Sequence, residues 1–232
     1  MMTASQWNDC YTGVPHWDLG RPQPAFQDLA DSGAITGRVL DAGCGTGEHV
    51  LMCAARGLDA TGVDLAPAAI ARAGGKARER GLAARFLVRD ARDLTDLLPF
   101  DTVLDSGLLH TFADADRAAY LHSVRSVLAP GGRMFVLCFS DQVRAPGGPR
   151  RLSAGELTAA FADGWWVDSV APTTLDTSAG GGVPGWLVRA TRPLVAAATV
   201  RTDRAERYLD QFCRHARQAH RIGHRARQVS VH

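Results

Sequence analysis

The chain has 232 residues, a formal net charge of +2, 46% hydrophobic residues and 22% charged residues; these values suit one globular domain with a substantial core and exclude extensive disorder. No apolar run approaches the length needed to span a bilayer, and the N-terminus lacks the basic flank and apolar stretch of a signal peptide. Five scattered cysteines without a Cys-x-x-Cys pair indicate reduced thiols, so we expect a cytoplasmic protein with no bound metal.

The predicted elements begin with an arm. Residues 1–21 are aromatic, punctuated by Pro and Gly, and predict an irregular lid. A helix over residues 23–32 follows, and an alternation of strands and helices comes after it. This alternation predicts an α/β fold, with a parallel sheet covered on both faces and ligands at the C-terminal strand ends. The strands are expected near 38–41, 59–63, 85–89, 101–105, 133–139, 165–170 and 185–191, and the helices over 47–56, 67–80, 115–128 and 153–162.

A glycine-rich turn follows the first predicted strand. The segment Asp41-Ala-Gly-Cys-Gly-Thr-Gly47 comes directly after an apolar run, and Asp64 ends the next strand. Together they predict a βαβ unit that holds an adenine nucleoside. A dinucleotide site needs Gly-x-Gly-x-x-Gly, but here the third glycine comes one residue early and Glu48 takes its place. A carboxylate beside the turn disfavours a phosphate and tolerates a cationic sulfonium. The pattern therefore indicates S-adenosylmethionine (SAM) rather than NAD.

The same segment resembles motif I of the class I SAM-dependent methyltransferases. Gly62-Val-Asp64, Arg89-Asp-Ala91 and Pro130-Gly-Gly132 resemble further signatures of that family. The resemblance implies a Rossmann-like three-layer sandwich, in which a mostly parallel seven-stranded sheet ends in an antiparallel C-terminal hairpin. It also implies an enzyme that moves a methyl group from SAM to an acceptor.

A segment that runs from the arm into the predicted helix resembles a smaller group within this family. Pro15-His-Trp17-Asp-Leu-Gly20-Arg-Pro22-Gln-Pro24 is similar to the Pro-Trp-Asp-x-Gly-x-Pro-x-Pro segment of the thiopurine, thiol and halide methyltransferases and their bacterial small-molecule relatives. His16, between the first Pro and the Trp, departs from that segment. The resemblance places Trp17 over the methyl donor, and it implies thiols, heteroaromatic nitrogens or phenols as acceptors.

The turn and the strand ends supply the predicted SAM contacts. Glycines in the turn let the backbone approach the ligand, because a Cβ there would collide with it. Asp64 offers two carboxylate oxygens to the ribose hydroxyls, and is also compatible with a helix N-cap. Asp90 accepts from the adenine amino group, beside the Ala91 amide, or lies in a surface turn. The predicted cofactor-binding residues are Trp17, Asp41, Gly43, Gly45, Gly47, Asp64, Leu65, Asp90, Ala91, Asp105 and Ser106.

The fourth strand leads to the acceptor side. Asp105-Ser-Gly-Leu108 lacks the two prolines that amino-group DNA methyltransferases carry at this place, which disfavours DNA bases as acceptors. His110 is expected either to take a proton from the acceptor or to pack beside the cofactor. Phe112 and Phe139 are candidate apolar contacts of the acceptor. Methyl transfer is an in-line displacement that depends mainly on alignment, so no obligatory base is required.

The last part of the chain differs in composition. Residues 193–232 carry eight Arg against three acidic residues, a balance of +5 that leaves −3 on residues 1–192. We expect a methyltransferase domain over 1–192 and a basic extension over 193–232, helical or disordered. Nucleic acid is not an expected partner of the acidic body, and the sequence leaves the oligomeric state open. The alternatives are a non-catalytic SAM-binding or RNA-associated protein that uses the basic extension, and an NAD-dependent oxidoreductase.

Overall fold

Seven strands form one sheet in the computed structural model, which describes residues 2–144, 146–178 and 180–194. Their order is β3-β2-β1-β4-β5-β7-β6; neighbours from β3 to β5 run parallel, and β7 is antiparallel to both β5 and β6. The predicted mostly parallel sheet with an antiparallel C-terminal hairpin is confirmed. The strands are β1 (Arg38–Ala42), β2 (Asp59–Asp64), β3 (Arg85–Val88), β4 (Phe100–Ser106), β5 (Leu128–Phe139), β6 (Trp166–Asp176) and β7 (Gly182–Thr191).

Helices connect and cover the strands. The helix α4 ends as the sequence predicts, with Lys76 and Arg78 in its last turn and Gly81 beyond it at φ +63°. The predicted capping box at the start of α6 is also present, because Ser153 and Glu156 bond each other's backbone N–H groups. The helices are α1 (Ala4–Cys10), α2 (Pro24–Asp31), α3 (Glu48–Ala55), α4 (Pro67–Glu79), α5 (Asp114–Val127) and α6 (Ala154–Ala160), with a 3₁₀ turn over Leu109–Thr111.

Two apolar cores, one on each face, hold the sheet. One contains Val103 and Val124 and the other contains Leu104 and Val50, so consecutive residues of β4 point to opposite faces. Strands buried on both faces read as continuous apolar runs, which is why β1, β4 and β5 were predictable. Strand β1 pairs with β2 on one side and with β4 on the other, so the sheet extends from β1 in both directions. At such a switch point in the strand order, a crevice opens at the C-terminal ends of the strands.

The N-terminal arm is packed against α4, and part of it is helical. The prediction of an irregular arm is wrong for Ala4–Cys10, where Thr3 and Gln6 form a capping box that the sequence already carried. The N–H of Ala68, in the first turn of α4, donates to Asn8 Oδ1 at 2.8 Å. The Arg72 guanidinium donates to the backbone carbonyls of Gly13 and Tyr11.

A second set of contacts joins the arm and the start of α2 to the tip of the β6–β7 hairpin. The side-chain amide of Gln23, which is buried, donates to the Asp176 carbonyl and accepts from its N–H. Arg21 pairs with the Asp176 carboxylate at 2.6 Å, and the Ser178 N–H donates to the His16 carbonyl. The arm therefore bridges α4 and the hairpin across the crevice.

Residues Met1–Arg192 form one compact unit. The predicted basic extension lies outside the described residues from position 195 onward. Within the described part of the chain, no helix is both long and apolar enough to cross a membrane.

Candidate active site

A cavity of about 670 Å³ opens at the C-terminal ends of the central strands. The glycine turn forms its floor, the arm covers it, and the segment after β4 forms a side wall. Twelve of the predicted site residues line it: Trp17, Gly43, Gly45, Gly47, Asp64, Leu65, Asp90, Ala91, Ser106, His110, Phe112 and Phe139. Asp41 and Asp105 do not contribute to the lining and lie beneath it.

The glycine turn has a left-handed backbone at each of its three glycines, with φ of +71°, +53° and +86° at Gly43, Gly45 and Gly47. A Cβ at these positions would come close to different neighbouring side chains. A Cβ at Gly45 would lie 3.0 Å from the Tyr11 hydroxyl of the arm. A Cβ at Gly47 would lie 2.7 Å from the Phe86 ring and 2.9 Å from Ala73 Cβ, so packing inside the fold alone requires this glycine.

The carboxylate of Asp64 is fixed at the edge of the turn. Its Oδ2 accepts from the Gly45 N–H and its Oδ1 from the Ala66 N–H, both at 2.9 Å. Burial raises the pKa of Asp64, against the lowering effect of these backbone donors, and the nearby Asp41 raises it further. Each oxygen keeps a second lone pair, so the group can still accept two hydrogen bonds from a diol.

Asp90 lies at the cavity wall after β3 and is paired with Arg92. Arg92 donates to both carboxylate oxygens of Asp90 and reaches Asp116 on α5 at 2.7 Å. Burial raises the pKa of Asp90, but the hydrogen bonds from Arg92 outweigh it and the net shift is downward. Asp90 is thus an ionised acceptor whose orientation is set by a neighbouring cation.

A buried acid lies beneath the turn. Asp41 is 1% exposed, and neither carboxylate oxygen accepts a hydrogen bond from a described residue. The nearest cation-forming group is His49, whose Nδ1 is 3.6 Å from Asp41 Oδ2. The Gln23 N–H donates to His49 Nε2, so the neutral ring carries its proton on the nitrogen that faces Asp41. A buried carboxylate without a hydrogen bond is costly, and a cationic ligand above it would offset that cost.

The prediction that the Glu48 carboxylate disfavours a phosphate is wrong, because this carboxylate is paired with two cations. Its carboxylate is bonded by Lys76 at 2.8 Å and by both terminal nitrogens of Arg80, so the charge beside the turn is neutralised. Burial raises the pKa of Glu48, and these two cations reverse the shift to a net lowering. Glu48 therefore does not repel a phosphate, and the preference for a cationic ligand rests on Asp41 and Asp64 instead.

The segment after β4 is held from below by Asp105. The completely buried carboxylate accepts from the N–H groups of Leu108 and Leu109 and from the Tyr120 hydroxyl at 2.8 Å. Burial raises the pKa of Asp105 to about 7, despite these donors. This arrangement differs from the direct SAM contact that the sequence predicted, because the side chain is fully used in holding the wall.

His110 stands on that wall, in the 3₁₀ turn. It is 4% exposed, its ring lies 4.7 Å from the Phe139 ring, and its Nδ1 accepts from the Phe139 N–H at 2.9 Å. Burial, helped by the Arg117 charge, lowers the pKa of His110 to about 4.

The arm supplies the aromatic cover. Trp17 packs edge-on against Trp7 and Tyr11, and its indole N–H donates to the Tyr11 hydroxyl at 3.2 Å. Next to it, Asp18 accepts from the Thr46 hydroxyl in the glycine turn at 2.9 Å. The arm is thereby attached to the floor of the cavity as well as to its rim.

Comparison with known proteins decides the family. Residues 39–132 match the family described as a methyltransferase domain. A 2-heptyl-1-hydroxyquinolin-4(1H)-one methyltransferase of Mycobacteroides abscessus is 37% identical over 69% of this chain and 73% of its own. The chain belongs to the SAM-dependent methyltransferases. The cofactor is SAM, as predicted, and membership of this family excludes the alternative of an NAD-dependent oxidoreductase.

Two further relatives of this methyltransferase differ in what they are named for. A probable thiol methyltransferase 2 of Arabidopsis thaliana is 30% identical over 62% of this chain and 65% of its own. A solved structure described by the conversion of a disulfide bond into a thioacetal group during echinomycin biosynthesis is 34% identical, with a TM-score of 0.77, over 92% of this chain and 98% of its own.

The methyltransferase cavity also contains residues that reasoning from the sequence missed. Thr46 and His49 line it, and each contacts a partner far away along the chain, Asp18 for Thr46 and Gln23 for His49. Both residues lie inside or just after motif I, but only the fold shows that their partners come from the arm and from the start of α2.

Proposed function

We propose that this methyltransferase moves the methyl group of SAM to a sulfur, nitrogen or oxygen atom of a small hydrophobic or heteroaromatic acceptor. The observation that carries the proposal is a single cavity whose floor is the glycine turn and whose remaining walls are largely aromatic and apolar. A continuous cavity of about 670 Å³ lies within the usual range for small-molecule sites.

The donor half of the cavity is assigned from its polar groups. Asp64 would accept from the ribose hydroxyls through its two free lone pairs, and Asp90 from the adenine amino group. The buried carboxylate of Asp41, which has no hydrogen bond from a described residue, would provide negative potential beneath the cationic portion of SAM. When bound, SAM supplies an activated methyl carbon and leaves a neutral thioether.

The acceptor half is assigned from its aromatic residues. Phe112 and Phe139 line the cavity on the side of His110, and Trp17 of the arm lines it as well. Such surfaces favour flat, apolar molecules and exclude water from the reacting atoms. Holding two reactants in line contributes about 7–11 kcal/mol to lowering a barrier, which suits a site with few catalytic side chains.

The names of the relatives support a heteroatom acceptor. One is named for a hydroxyquinolone and another for a thiol, and the structural relative is described by chemistry at a disulfide. These acceptors share a polarisable or acidic heteroatom on a small molecule, and this shared chemistry is what we propose for the present chain.

The test is transfer of labelled methyl from SAM to a panel of thiols, phenols, N-hydroxy heteroaromatics and azaheterocycles, with product identified by mass. We expect at least one class to be methylated, and Asp64→Ala to lose that activity together with SAM affinity. Tight SAM binding without methylation of any class would contradict the proposal and favour the non-catalytic alternative.

A further inference from the structure

His110 is fixed in one tautomer by its neighbour in β5. The Phe139 N–H donates to Nδ1 at 2.9 Å, which occupies the lone pair on that nitrogen. In a neutral imidazole only one nitrogen accepts, so the proton of His110 resides on Nε2. The ring therefore presents a donor, not an acceptor, from its other nitrogen.

The other ring nitrogen, Nε2, lies beside a glycine. Gly107 has φ +84°, and a Cβ on it would stand 3.5 Å from Nε2. Among the described residues none accepts a hydrogen bond from Nε2, while His110 lines the cavity. A Cβ at position 107 would be in ordinary van der Waals contact with Nε2, so Gly107 is the immediate neighbour of this nitrogen. The wall thus offers one unused, rigidly held N–H.

The surroundings keep this ring neutral. Burial disfavours a charge on the His110 ring, and the positive charge of Arg117 on α5 adds to this effect, so the pKa of His110 falls to about 4. The other titratable groups packed around the turn are Asp105 on β4, Tyr120 on α5 and Cys138 on β5. Asp105 and Tyr120 are hydrogen-bonded to each other, and burial raises the pKa of the Cys138 thiol to about 12.

Three other titratable groups that line the cavity, next to the glycine turn and after β3, already accept hydrogen bonds. His49 accepts from the Gln23 N–H, Asp64 from two backbone amides, and Asp90 from Arg92. Each of these three groups thus has a protein partner that fixes its orientation. Because the lone pair of His110 Nδ1 is used by the Phe139 N–H, this wall offers the acceptor molecule a hydrogen-bond donor rather than a base, which favours an acceptor that has lost its proton before the reaction.

We propose that His110 is a specificity-determining hydrogen-bond donor that binds the heteroatom of an anionic acceptor through Nε2–H and takes no proton from it. The inference rests on the proposed function and narrows its substrate class to molecules that ionise by themselves near neutral pH, namely aromatic thiols, acidic phenols and N-hydroxy heteroaromatics. In the step, the acceptor's lone pair forms the bond to the methyl carbon. The carbon–sulfur bond breaks with its electrons on sulfur, and the acceptor's proton has already passed to solvent.

Two substitutions separate the roles of the two ring nitrogens. His110→Asn keeps an acceptor for the Phe139 N–H and removes the donor at the Nε2 position. His110→Gln can place an N–H near the Nε2 position. Loss of a hydrogen bond to a charged group corresponds to roughly 10–150-fold. We expect His110→Asn to lower kcat/KM for thiophenols by about that factor with unchanged SAM affinity, and His110→Gln to recover part of it. His122→Asn, at an exposed histidine of α5, is the matched control.

The pH profile distinguishes a donor from a base. For a donor, the acid limb of kcat/KM moves with the acidity of the thiophenol and persists in His110→Asn. If instead the acid limb lies at the same pH for every acceptor and is lost in His110→Asn, His110 acts as a base and the proposal is overturned. Unchanged kcat/KM in His110→Asn would overturn it as well.

A spectroscopic measurement tests the inference without turnover. In nitrogen-15 spectra of the wild-type protein with S-adenosylhomocysteine, the His110 signal, assigned by its absence in His110→Asn, should show the Nε2–H tautomer from pH 6 to 8. Adding 4-nitrothiophenolate should shift that Nε2–H resonance. An Nδ1–H tautomer, a titration near pH 6.5 or no shift overturns the inference, whereas failure of the proposed function appears separately as absence of any methylated product.

Discussion

Gly47 and Gly45 of the turn should respond differently to substitution by alanine, because a Cβ at each position would meet a different neighbour. At Gly47 the alanine Cβ meets the Phe86 ring at 2.7 Å and Ala73 Cβ at 2.9 Å, at φ +86°. The left-handed backbone costs about 1–2 kcal/mol and overpacking about 1–3 kcal/mol, so Gly47→Ala should lose about 2–5 kcal/mol of stability. For a chain of this length that corresponds to a fall in Tm on the order of 10 °C.

At Gly45 the expected loss is smaller and of another kind. The backbone cost remains about 1–2 kcal/mol, but the close contact is the hydroxyl of Tyr11, at the far end of an arm side chain that can move away. Gly45→Ala should therefore stay folded while binding S-adenosylhomocysteine more weakly, because the cover of the site is displaced.

The measurements are thermal unfolding and calorimetric titration with S-adenosylhomocysteine, made on both variants. Gly47→Ala combined with Phe86→Leu should regain the overpacking part of the loss and not the backbone part. A Gly47→Ala protein as stable as wild type would refute this reasoning, as would a Gly45→Ala protein that is the less stable of the two.

Three further outcomes are expected. Asp64→Ala should weaken SAM binding by about 1.5–3 kcal/mol in a folded protein, measured by calorimetry, since it removes a charged acceptor; unchanged affinity would remove Asp64 from the site. Gln23→Ala deletes both hydrogen bonds to the Asp176 backbone and should speed proteolysis of the arm, while Gln27→Ala, exposed on α2, should not. The pKa of His110 falls from 6.5 to about 4 on folding, so between these pH values the unfolded chain binds a proton that the folded chain does not bind. The free energy of unfolding should therefore decrease by about 3 kcal/mol as the pH falls from about 6.5 to 4. Chemical denaturation of His110→Asn at several pH values should show a pH dependence that is smaller by this amount.

Much of the fold was predictable because its signals are local. All seven strands and the helices from α2 onward follow from apolar runs, helical periodicity and capping residues. The end of β6 was missed, since residues 171–176 are not an apolar run. They are strand because they pair with β7, and Pro172 is tolerated there because β6 lies at the edge of the sheet.

The site was predictable to a lesser extent. Motif I and the strand ends identified residues that do line the cavity, because backbone turns and strand termini are encoded nearby in sequence. The roles of Asp105 and Glu48 were missed because their partners, Tyr120 and Arg80, are distant in the chain and only the packed structure brings them together. The same holds for the Phe139 N–H that fixes His110.

The contacts of Thr46 connect the floor of the site to its cover. Its hydroxyl donates to Asp18 of the arm and accepts from Lys76, which also pairs with Glu48 at the start of α3. A turn conformation that suits the donor is therefore the same conformation that holds the arm in place. Linkage requires the effect to be mutual: if donor binding favours the docked arm, docking favours the donor by the same free energy. Because Trp17 of the arm lines the same cavity, release of the arm would remove part of the cavity wall at the same time.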